Sequence, residues 1–362
     1  MSNKATSGTD DSHLGPFILC QSRDPPEHGW IASDRKALMT LHAAFPSDVK
    51  PERIKVALID DGIDRTSLLT YQNRVEVTGM SYWTPSAGVA LQNPSWHQST
   101  HGHGTFMGNS IVRVNPWVFW YVMRIQDEVD NGQRKDGSIR IHAESAARAM
   151  EDAITAGVKI ISILWTIRDL ASQDSKLYPK NERDAIKSLK KAIENAKAAK
   201  ELLFLTMSFD SAAADAYGYS EKATEDNNTI HSFFPGSQVV DDFNPRLARP
   251  VELKHRDGSS VATTLAAGMA SSIMYLANVM REHYRKDEKT ALKFTEYGER
   301  LRQRNAMKKA FDNIITEENY KDIKFFNVWD LFSTRAERLQ GDTKNGELKW
   351  DTLAELCTKL VA

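Results

Sequence analysis

The sequence is poor in cysteine and lacks a long hydrophobic run. Only two cysteines, Cys20 and Cys357, occur in 362 residues. One disulfide could join them, but two reduced thiols fit better, because such low cysteine usage is typical of reducing compartments. No stretch of about 18 consecutive apolar residues is present, which argues against a membrane span. Residues 1–11 are polar and acidic, unlike a signal peptide, so we expect a cytoplasmic, intracellular protein.

An excess of charge of one sign is also absent. The formal net charge is -1 at pH 7, with 41% hydrophobic and 26% charged residues. No overall field therefore favours binding to nucleic acid or to a membrane surface. The composition is that of an ordinary globular protein, and it excludes disordered and fibrous classes.

Strand and helix patterns alternate along the middle of the chain. Short apolar runs at 54–59, 158–164 and 202–207 are typical of buried strands. Apolar residues at helical spacing predict helices at 143–156 and around 186–196. This alternation predicts an α/β fold, a doubly wound and mostly parallel sheet with helices on both faces.

The chain divides into three predicted regions. Residues 1–50 form a partly disordered lead, and residues 51–285 form the α/β domain. The charged residues 286–362 form a helical extension that packs on this domain, with one surface helix over 294–315. Within the domain, residues 260–277 are rich in small side chains, which predicts a helix packed closely among its neighbours.

Asp60 belongs to the first segment that could support chemistry. It follows the apolar strand and precedes Asp61 and Gly62. In a parallel sheet, ligands and catalytic groups gather at the carboxyl ends of the strands. An aspartate there can orient a histidine and stabilise its imidazolium. An acidic turn that caps the next helix would give the same local sequence.

His103 belongs to the second segment, His101-Gly102-His103-Gly104-Thr105. Flanking glycines let the backbone approach a substrate without a Cβ clash. Two histidines at this spacing also raise the alternative of a metal site, although no cysteine or acidic cluster at metal-ligand spacing accompanies them. A solvent-exposed loop histidine is the third interpretation.

Ser260 belongs to the third segment, at the predicted start of the small-residue helix. Free backbone N–H groups and the helix dipole favour a developing negative charge at such a position. This environment suits a nucleophile whose reaction builds an oxyanion. A simple helix N-cap formed by Ser259 or Ser260 is the alternative.

The three segments together resemble the signature blocks of the subtilisin-like serine protease family. Those blocks are an apolar strand ending in Asp-x-Gly, then Gly-His-Gly-Thr, then Gly-(Thr/Ser)-Ser-x-Ala with a later glycine. Here they occur in the order Asp60, His103, Ser260, and the resemblance covers about residues 52–280.

This resemblance implies a subtilisin-like fold and a serine endopeptidase that acts on protein or peptide substrates. It assigns Ser260 as nucleophile, His103 as general base and Asp60 as the group that orients His103. No metal and no organic cofactor is implied. The short lead before Asp60 and the general character of the sequence resemble those of intracellular fungal members of the family.

Asp210 is the first departure from the family, because it stands where an oxyanion-hole asparagine is usual. An ionised aspartate cannot donate a hydrogen bond. A protonated Asp210 could donate, as in the related acid-active sedolisins. Alternatively the chain is a weak or inactive protease that binds peptides or a partner through the cleft, or Asp210 is an unrelated loop residue.

Leu164, Trp165 and Thr166 are the second departure. They replace small residues that usually line the substrate cleft in the family. Trp165 could narrow the pocket for the side chain that precedes the scissile bond. Ordinary packing in the core is the alternative for these side chains.

Overall fold

The computed structural model describes twelve ranges of the chain: 51–64, 75–83, 95–129, 139–165, 180–199, 202–205, 239–241, 254–256, 258–314, 319–320, 323–324 and 346–362. The predictions on Cys20, Thr166, Asp210 and the 1–50 lead lie outside these described residues.

The described residues form eleven strands and seven helices. The strands are β1 (Ile54–Asp60), β2 (Glu76–Ser81), β3 (Val118–Arg124), β4 (Asp127–Val129), β5 (Ile139–Ile141), β6 (Ile160–Ile163), β7 (Leu202–Leu205), β8 (Val239–Asp241), β9 (Lys254–Arg256), β10 (Asn319–Tyr320) and β11 (Ile323–Lys324). The helices are α1 (His103–Val114), α2 (Ala143–Thr155), α3 (Lys180–Ala198), α4 (Ser259–His283), α5 (Glu288–Leu301), α6 (Arg304–Asp312) and α7 (Gly346–Val361).

A parallel sheet forms the centre of the fold. Within the described ranges its strand order is β2-β3-β1-β6-β7, and every neighbouring pair is parallel. The strand β1 is therefore the middle strand, which explains why its sequence is apolar on both faces. Three further strand pairs, β4–β5, β8–β9 and β10–β11, are antiparallel.

Helices cover both faces of this sheet, as the sequence predicts. On one face, Val56 and Leu58 join a core built with residues of α1 and α4. On the other face, Ala57 and Ile59 join a second core built with residues of α2 and α3. Side chains alternate between the faces of a strand, so β1 contributes to both cores. The predicted α/β class with helices on both faces is confirmed.

The helices α1 and α4 run side by side in the same direction. Near their starts, the Thr264 hydroxyl donates to Met107 Sδ over 3.2 Å. Near the end of α1, the Ser272 hydroxyl donates to the Val114 carbonyl over 3.2 Å. A Cβ atom on Gly268 would lie 2.9 Å from the Val114 Cβ, so the small residues of α4 allow this close packing.

Helix α4 is also long and apolar enough to cross a membrane. Its segment Ser260–His283 has a mean hydropathy of 1.3 over the most apolar window, but 89% of that window is buried inside the fold. We therefore describe α4 as the central core helix of the domain.

The helix predicted over 294–315 is two helices in the structure. The sequence predicts a single surface helix over 294–315, whereas the chain forms two helices, with α5 ending at Leu301 and α6 beginning at Arg304. Leu301, Met307 and Phe311 are fully buried in the core that contains α4. The turn between the helices lets both apolar faces reach that core, which one straight helix could not do.

Polar side chains of α5, of α6 and of Asn313, which directly follows α6, hold the end of α7. Arg300 Nη2 donates to the Val361 carbonyl over 3.3 Å, and Asn313 Nδ2 donates to the Lys359 carbonyl over 2.9 Å. Lys309 Nζ donates to the carbonyl of Ala362. Cationic and amide donors at a helix C-terminus satisfy its unpaired carbonyls and its dipole.

Candidate active site

Asp60 and His103 form a hydrogen-bonded pair at the carboxyl edge of the sheet. Asp60 ends β1, and His103 is the first residue of α1. His103 Nδ1 lies 2.9 Å from Asp60 Oδ1 and 3.0 Å from Oδ2. The carboxylate therefore fixes the tautomer with the proton on Nδ1, which leaves Nε2 as the basic nitrogen.

The two side chains differ in exposure. The Asp60 side chain is 5% exposed and that of His103 is 32% exposed. Burial raises the pKa of the Asp60 carboxyl above its ordinary value, although attraction to His103 and the hydrogen bond with it oppose this rise. The negative charge on Asp61 raises the same pKa further. The hydrogen bond from His103 is thus the main favourable contact of a desolvated carboxylate.

Glycines allow His103 to approach Asp60 so closely. Gly102 has a φ of 75°, in the left-handed region that favours glycine. A Cβ atom on Gly104 would lie 2.3 Å from the Gly62 carbonyl oxygen and 3.2 Å from the Asp60 Cβ. The sequence suggested that these glycines let the backbone approach a substrate. In the structure, Gly104 instead allows close contact between α1 and the end of β1.

Ser260 is the second residue of α4 and lies at the same edge of the sheet. Its hydroxyl donates to the Leu164 carbonyl over 3.1 Å. Leu164 directly follows β6, which pairs with β1 through Ile163 and Ile59. Ser260 is therefore anchored to the strand next to the one that carries Asp60.

The register of α1 and α4 brings His103 and Ser260 to neighbouring positions. The contacts between Thr264 and Met107 and between Ser272 and Val114 join residues that are 157 and 158 apart in the chain. His103 and Ser260 are likewise 157 residues apart. Because the helices are parallel, the two residues occupy matching positions in the first turns of α1 and α4.

Leu164 and Trp165 lie beside the start of α4. The Leu164 side chain is 3% exposed and packs in the core, so only its backbone faces Ser260. Trp165 is half-buried, and its Nε1 donates to the Ile59 carbonyl over 2.9 Å. That Leu164, Trp165 and Thr166 border a substrate cleft stays a prediction.

Asp61 is a site residue whose role sequence reasoning missed. Its buried carboxylate accepts three hydrogen bonds of 2.7 Å, from Ser99 Oγ and from the backbone N–H groups of His101 and Gly104. The only signal in the sequence is a second aspartate directly after Asp60, which does not reveal its partners.

Arg124 is the other residue that the sequence did not indicate. It is buried at the end of β3, where it donates to the Ser95 carbonyl over 3.0 Å and to Thr100 Oγ1 over 2.6 Å. It also donates to the Gln98 carbonyl. These partners lie in an irregular segment, so no periodicity links them to Arg124.

The alternative of a metal site at His101 and His103 gains no support. In the part of the chain that the structure describes, no group of three or more His, Cys, Asp or Glu side chains could hold a metal ion. Instead, His101 interacts with Asp61 through its backbone and His103 with Asp60 through its ring.

Comparisons with known proteins give structural likeness only. No protein-family model and no curated protein matches the chain. Among solved structures, the chain is similar to the prenylagaramide maturation protease PagA, at 16% identity and a TM-score of 0.43, covering 88% of this chain and 100% of that chain. It is also similar to the nisin leader peptidase NisP from Lactococcus lactis, at 14% identity and a TM-score of 0.44, covering 86% of this chain and 94% of that chain.

A third similar structure is the epidermin leader peptide processing serine protease EpiP from Staphylococcus aureus. Its identity is 13% and its TM-score 0.44, with 76% of this chain and 74% of that chain covered. Likeness at these identities and TM-scores does not transfer an activity, so the functional assignment depends on the geometry around Asp60, His103 and Ser260.

Proposed function

We propose that this protein is a hydrolase of the serine endopeptidase class. It would cleave protein or peptide substrates with Asp60, His103 and Ser260 as its triad. The observation that carries the proposal is the contact of His103 Nδ1 with both Asp60 carboxylate oxygens. That pair lies at the sheet edge where Ser260 is in the first turn of a helix parallel to the one that His103 begins.

The proposed reaction has two stages. Ser260 Oγ attacks the peptide carbonyl while His103 Nε2 takes its proton and then passes it to the leaving amine. Water then hydrolyses the acyl-enzyme, with His103 again accepting and returning the proton. Asp60 holds the proton on Nδ1 and stabilises the imidazolium that forms in each stage. The His103 side chain is 32% exposed, so the ring is not sealed inside the core.

The oxyanion of the intermediate needs hydrogen-bond donors. The backbone N–H of Ser260 is suited to this role, because the first N–H groups of a helix have no acceptor within the helix. The sequence predicts Asp210 as the second donor, which requires a protonated carboxyl group. Loss of one such donor typically slows turnover by about 10²- to 10³-fold.

One observation favours a second candidate function. The Ser260 hydroxyl donates its proton to the Leu164 carbonyl rather than directing it at His103. A serine held in this way needs a rotation of its side chain before it can act as a nucleophile. If that rotation does not occur, the protein is a peptide- or partner-binding module with an inactive triad.

Labelling with a fluorophosphonate probe tests the proposal. We expect the probe to modify Ser260 in the wild type, and mass spectrometry of digested protein to place the adduct on that residue. Ser260→Ala and His103→Ala should abolish labelling, whereas Ser259→Ala, the matched control at the neighbouring serine, should retain it. The second labelling pH is about 4–5, an acidity that favours a protonated Asp210. If the folded wild type stays unlabelled both there and at neutral pH, the assignment is wrong.

The role of Asp210 has a separate test. An Asp210→Asn variant that labels much faster at neutral pH would mean that an ionised carboxylate limits the wild-type reaction. A variant that labels much more slowly would mean that the carboxylic acid itself is the donor. Peptide binding without turnover, with the same affinity in Ser260→Ala, would support the binding module instead.

A further inference from the structure

The chain segment that leads into His103 lies between two buried charges. We define this segment, residues 95–104, as the His103 loop. We propose that Asp61 and Arg124 are positioning residues that fix the His103 loop, so that the imidazole of His103 stays against Asp60. The inference rests on the proposed function only in giving His103 a catalytic role, since the contacts themselves are independent of it.

Asp61 binds the end of the His103 loop through its N–H groups. Asp61 Oδ1 accepts from the backbone N–H of Gly104, which is in the first turn of α1, and Oδ2 accepts from the N–H of His101. The N-cap residue of α1 is Gly102, which has no side chain to supply a cap. Asp61 therefore caps α1 from a distant part of the chain, and its charge suits the helix dipole.

Ser99 extends this contact to a further backbone group. Its hydroxyl donates to Asp61 Oδ2 over 2.7 Å and accepts from the Gly102 N–H over 2.8 Å. The backbone on both sides of His103 is thus bound to one carboxylate, directly or through Ser99. Hydrogen bonds to a charged acceptor are about twice as strong as those between neutral groups.

Arg124 binds the beginning of the same loop through oxygen atoms. Its guanidinium donates to the Ser95 and Gln98 carbonyls and to Thr100 Oγ1, and it lies 5.7 Å from the centre of the Trp83 ring. The planar, multiply donating guanidinium suits several fixed oxygens better than a lysine would.

The two charges come from adjacent strands. Arg124 is the register partner of Asp60 in the β1–β3 pair, and Asp61 follows Asp60 directly. Asp61 accepts hydrogen bonds from donors of the His103 loop, and Arg124 donates hydrogen bonds to its acceptors. A movement of the loop would leave a buried charge without its partners, and such a loss is strongly destabilising. The loop is therefore restrained at both ends.

The restrained loop matters for His103 because the hydrogen bond between its ring and Asp60 requires an accurate position of the ring. Asp60 Oδ1 accepts from both His103 Nδ1 and the backbone N–H of Asp61. The same carboxylate therefore links the end of β1 to the ring. A misplacement of about 1 Å in a catalytic group can cost about 10²-fold in rate.

Asp61→Asn in the full chain tests the proposal. Asparagine has one acceptor oxygen and an NH₂ group, so in either orientation a backbone N–H of His101 or Gly104 faces a donor. We expect the His103 Nδ1 proton resonance to weaken or disappear in NMR spectra. We also expect amide exchange at His101 or at Gly104, whichever N–H faces the NH₂ group, to speed up by about tenfold or more, the effect of losing one hydrogen bond to a charged group. Glu144→Gln, which removes an exposed acid from the first turn of α2, should change neither.

A folded Asp61→Asn protein with the wild-type Nδ1 resonance and wild-type exchange at both His101 and Gly104 would overturn the proposal. Arg124→Lys provides an independent test, since it keeps the charge but removes the planar group, and we expect a weaker Nδ1 resonance there too. If Asp61→Asn does not fold, Ser99→Ala decides. Faster exchange at Gly102 together with a weakened Nδ1 resonance would support the proposal, and wild-type behaviour would refute it.

These measurements separate the inference from the proposed function. The Nδ1 resonance reports the His103–Asp60 contact whether or not Ser260 reacts. If the wild type labels with fluorophosphonate, Asp61→Asn should label more slowly. If the wild type does not label, the proposed function fails while the resonance and exchange measurements still test the roles of Asp61 and Arg124.

Discussion

Gly108 offers a sharp test of how α1 is placed on the sheet. A Cβ atom at Gly108 would lie 1.7 Å from Trp120 Cη2 and 1.8 Å from Cζ2. Carbon atoms pack favourably at about 3.5–4.0 Å, so a single methyl group overlaps the buried indole by roughly 2 Å. Trp120 is fully buried in β3 and cannot move into solvent. In Gly108→Ala, either the indole or α1 must therefore shift.

The expected cost follows from this overlap. Overpacking a well-filled core typically costs 1–3 kcal/mol, so we expect a loss of about 3 kcal/mol or more in the free energy of unfolding. If α1 moves, His103 moves with it, and a shift of about 1 Å would slow labelling of Ser260 by about 10²-fold. Urea unfolding gives the first quantity, and the rate of fluorophosphonate labelling gives the second.

Gly298→Ala in α5 is the matched control, because its added Cβ would meet nothing closer than 3.9 Å. There the same substitution should stabilise the protein by about 0.5–1 kcal/mol through helix propensity. Combining Gly108→Ala with Trp120→Phe removes the outer indole atoms that clash. The double variant should be more stable than the sum of the single changes predicts, by about 1 kcal/mol or more. An undisturbed Gly108→Ala protein, or strict additivity in the double variant, would refute the reasoning.

Further predictions concern three buried or capping residues. Asp60→Asn should slow labelling by about 10⁴-fold. Because burial raises the pKa of Asp60 above 3.8, the stability that its protonated form contributes is full below pH 3.8 and is lost as the pH rises through the raised pKa. In urea unfolding, Asp60→Asn should therefore gain stability relative to wild type as the pH rises from about 4. Burial raises the pKa of the Cys357 thiol to about 12, so in a Cys20→Ser background a thiol reagent at about pH 8 should react only after denaturation. Asn313→Ala removes a donor to the Lys359 carbonyl and should cost about 1 kcal/mol in urea unfolding, whereas no cost would contradict the capping role.

The elements of the fold were predictable where local patterns were strong. The run that forms β1 is apolar on both faces. The small residues of α4 predicted a closely packed helix, and in the structure that close packing is against α1. The break between α5 and α6 was not predictable, because the apolar spacing continues across Arg302 and Gln303. Only the position of the core beneath Leu301 and Met307 decides that the chain turns there.

The candidate site was predictable in part for a similar reason. Asp60 and His103 lie in short segments with a recognisable pattern, and their pairing stands in the structure. Asp61 and Arg124 have no such pattern, because their partners are backbone groups of a loop that any residue type could supply. The identity of a side chain does not reveal which backbone groups bind to it, so the contacts of Asp61 and Arg124 can be found only in the three-dimensional structure.

The wide separation of the site residues in the chain has a consequence for folding. Asp60 and His103 are 43 residues apart, and Ser260 is 96 residues from its hydrogen-bond partner Leu164. Such non-local contacts form late, because loop closure must precede them. All five strands of the central sheet precede α4 in the chain, so during synthesis the proposed nucleophile emerges from the ribosome after them. If the proposed triad is active, it would therefore be completed only after the strands of the central sheet have been made, when they can already be folded and protected from cleavage.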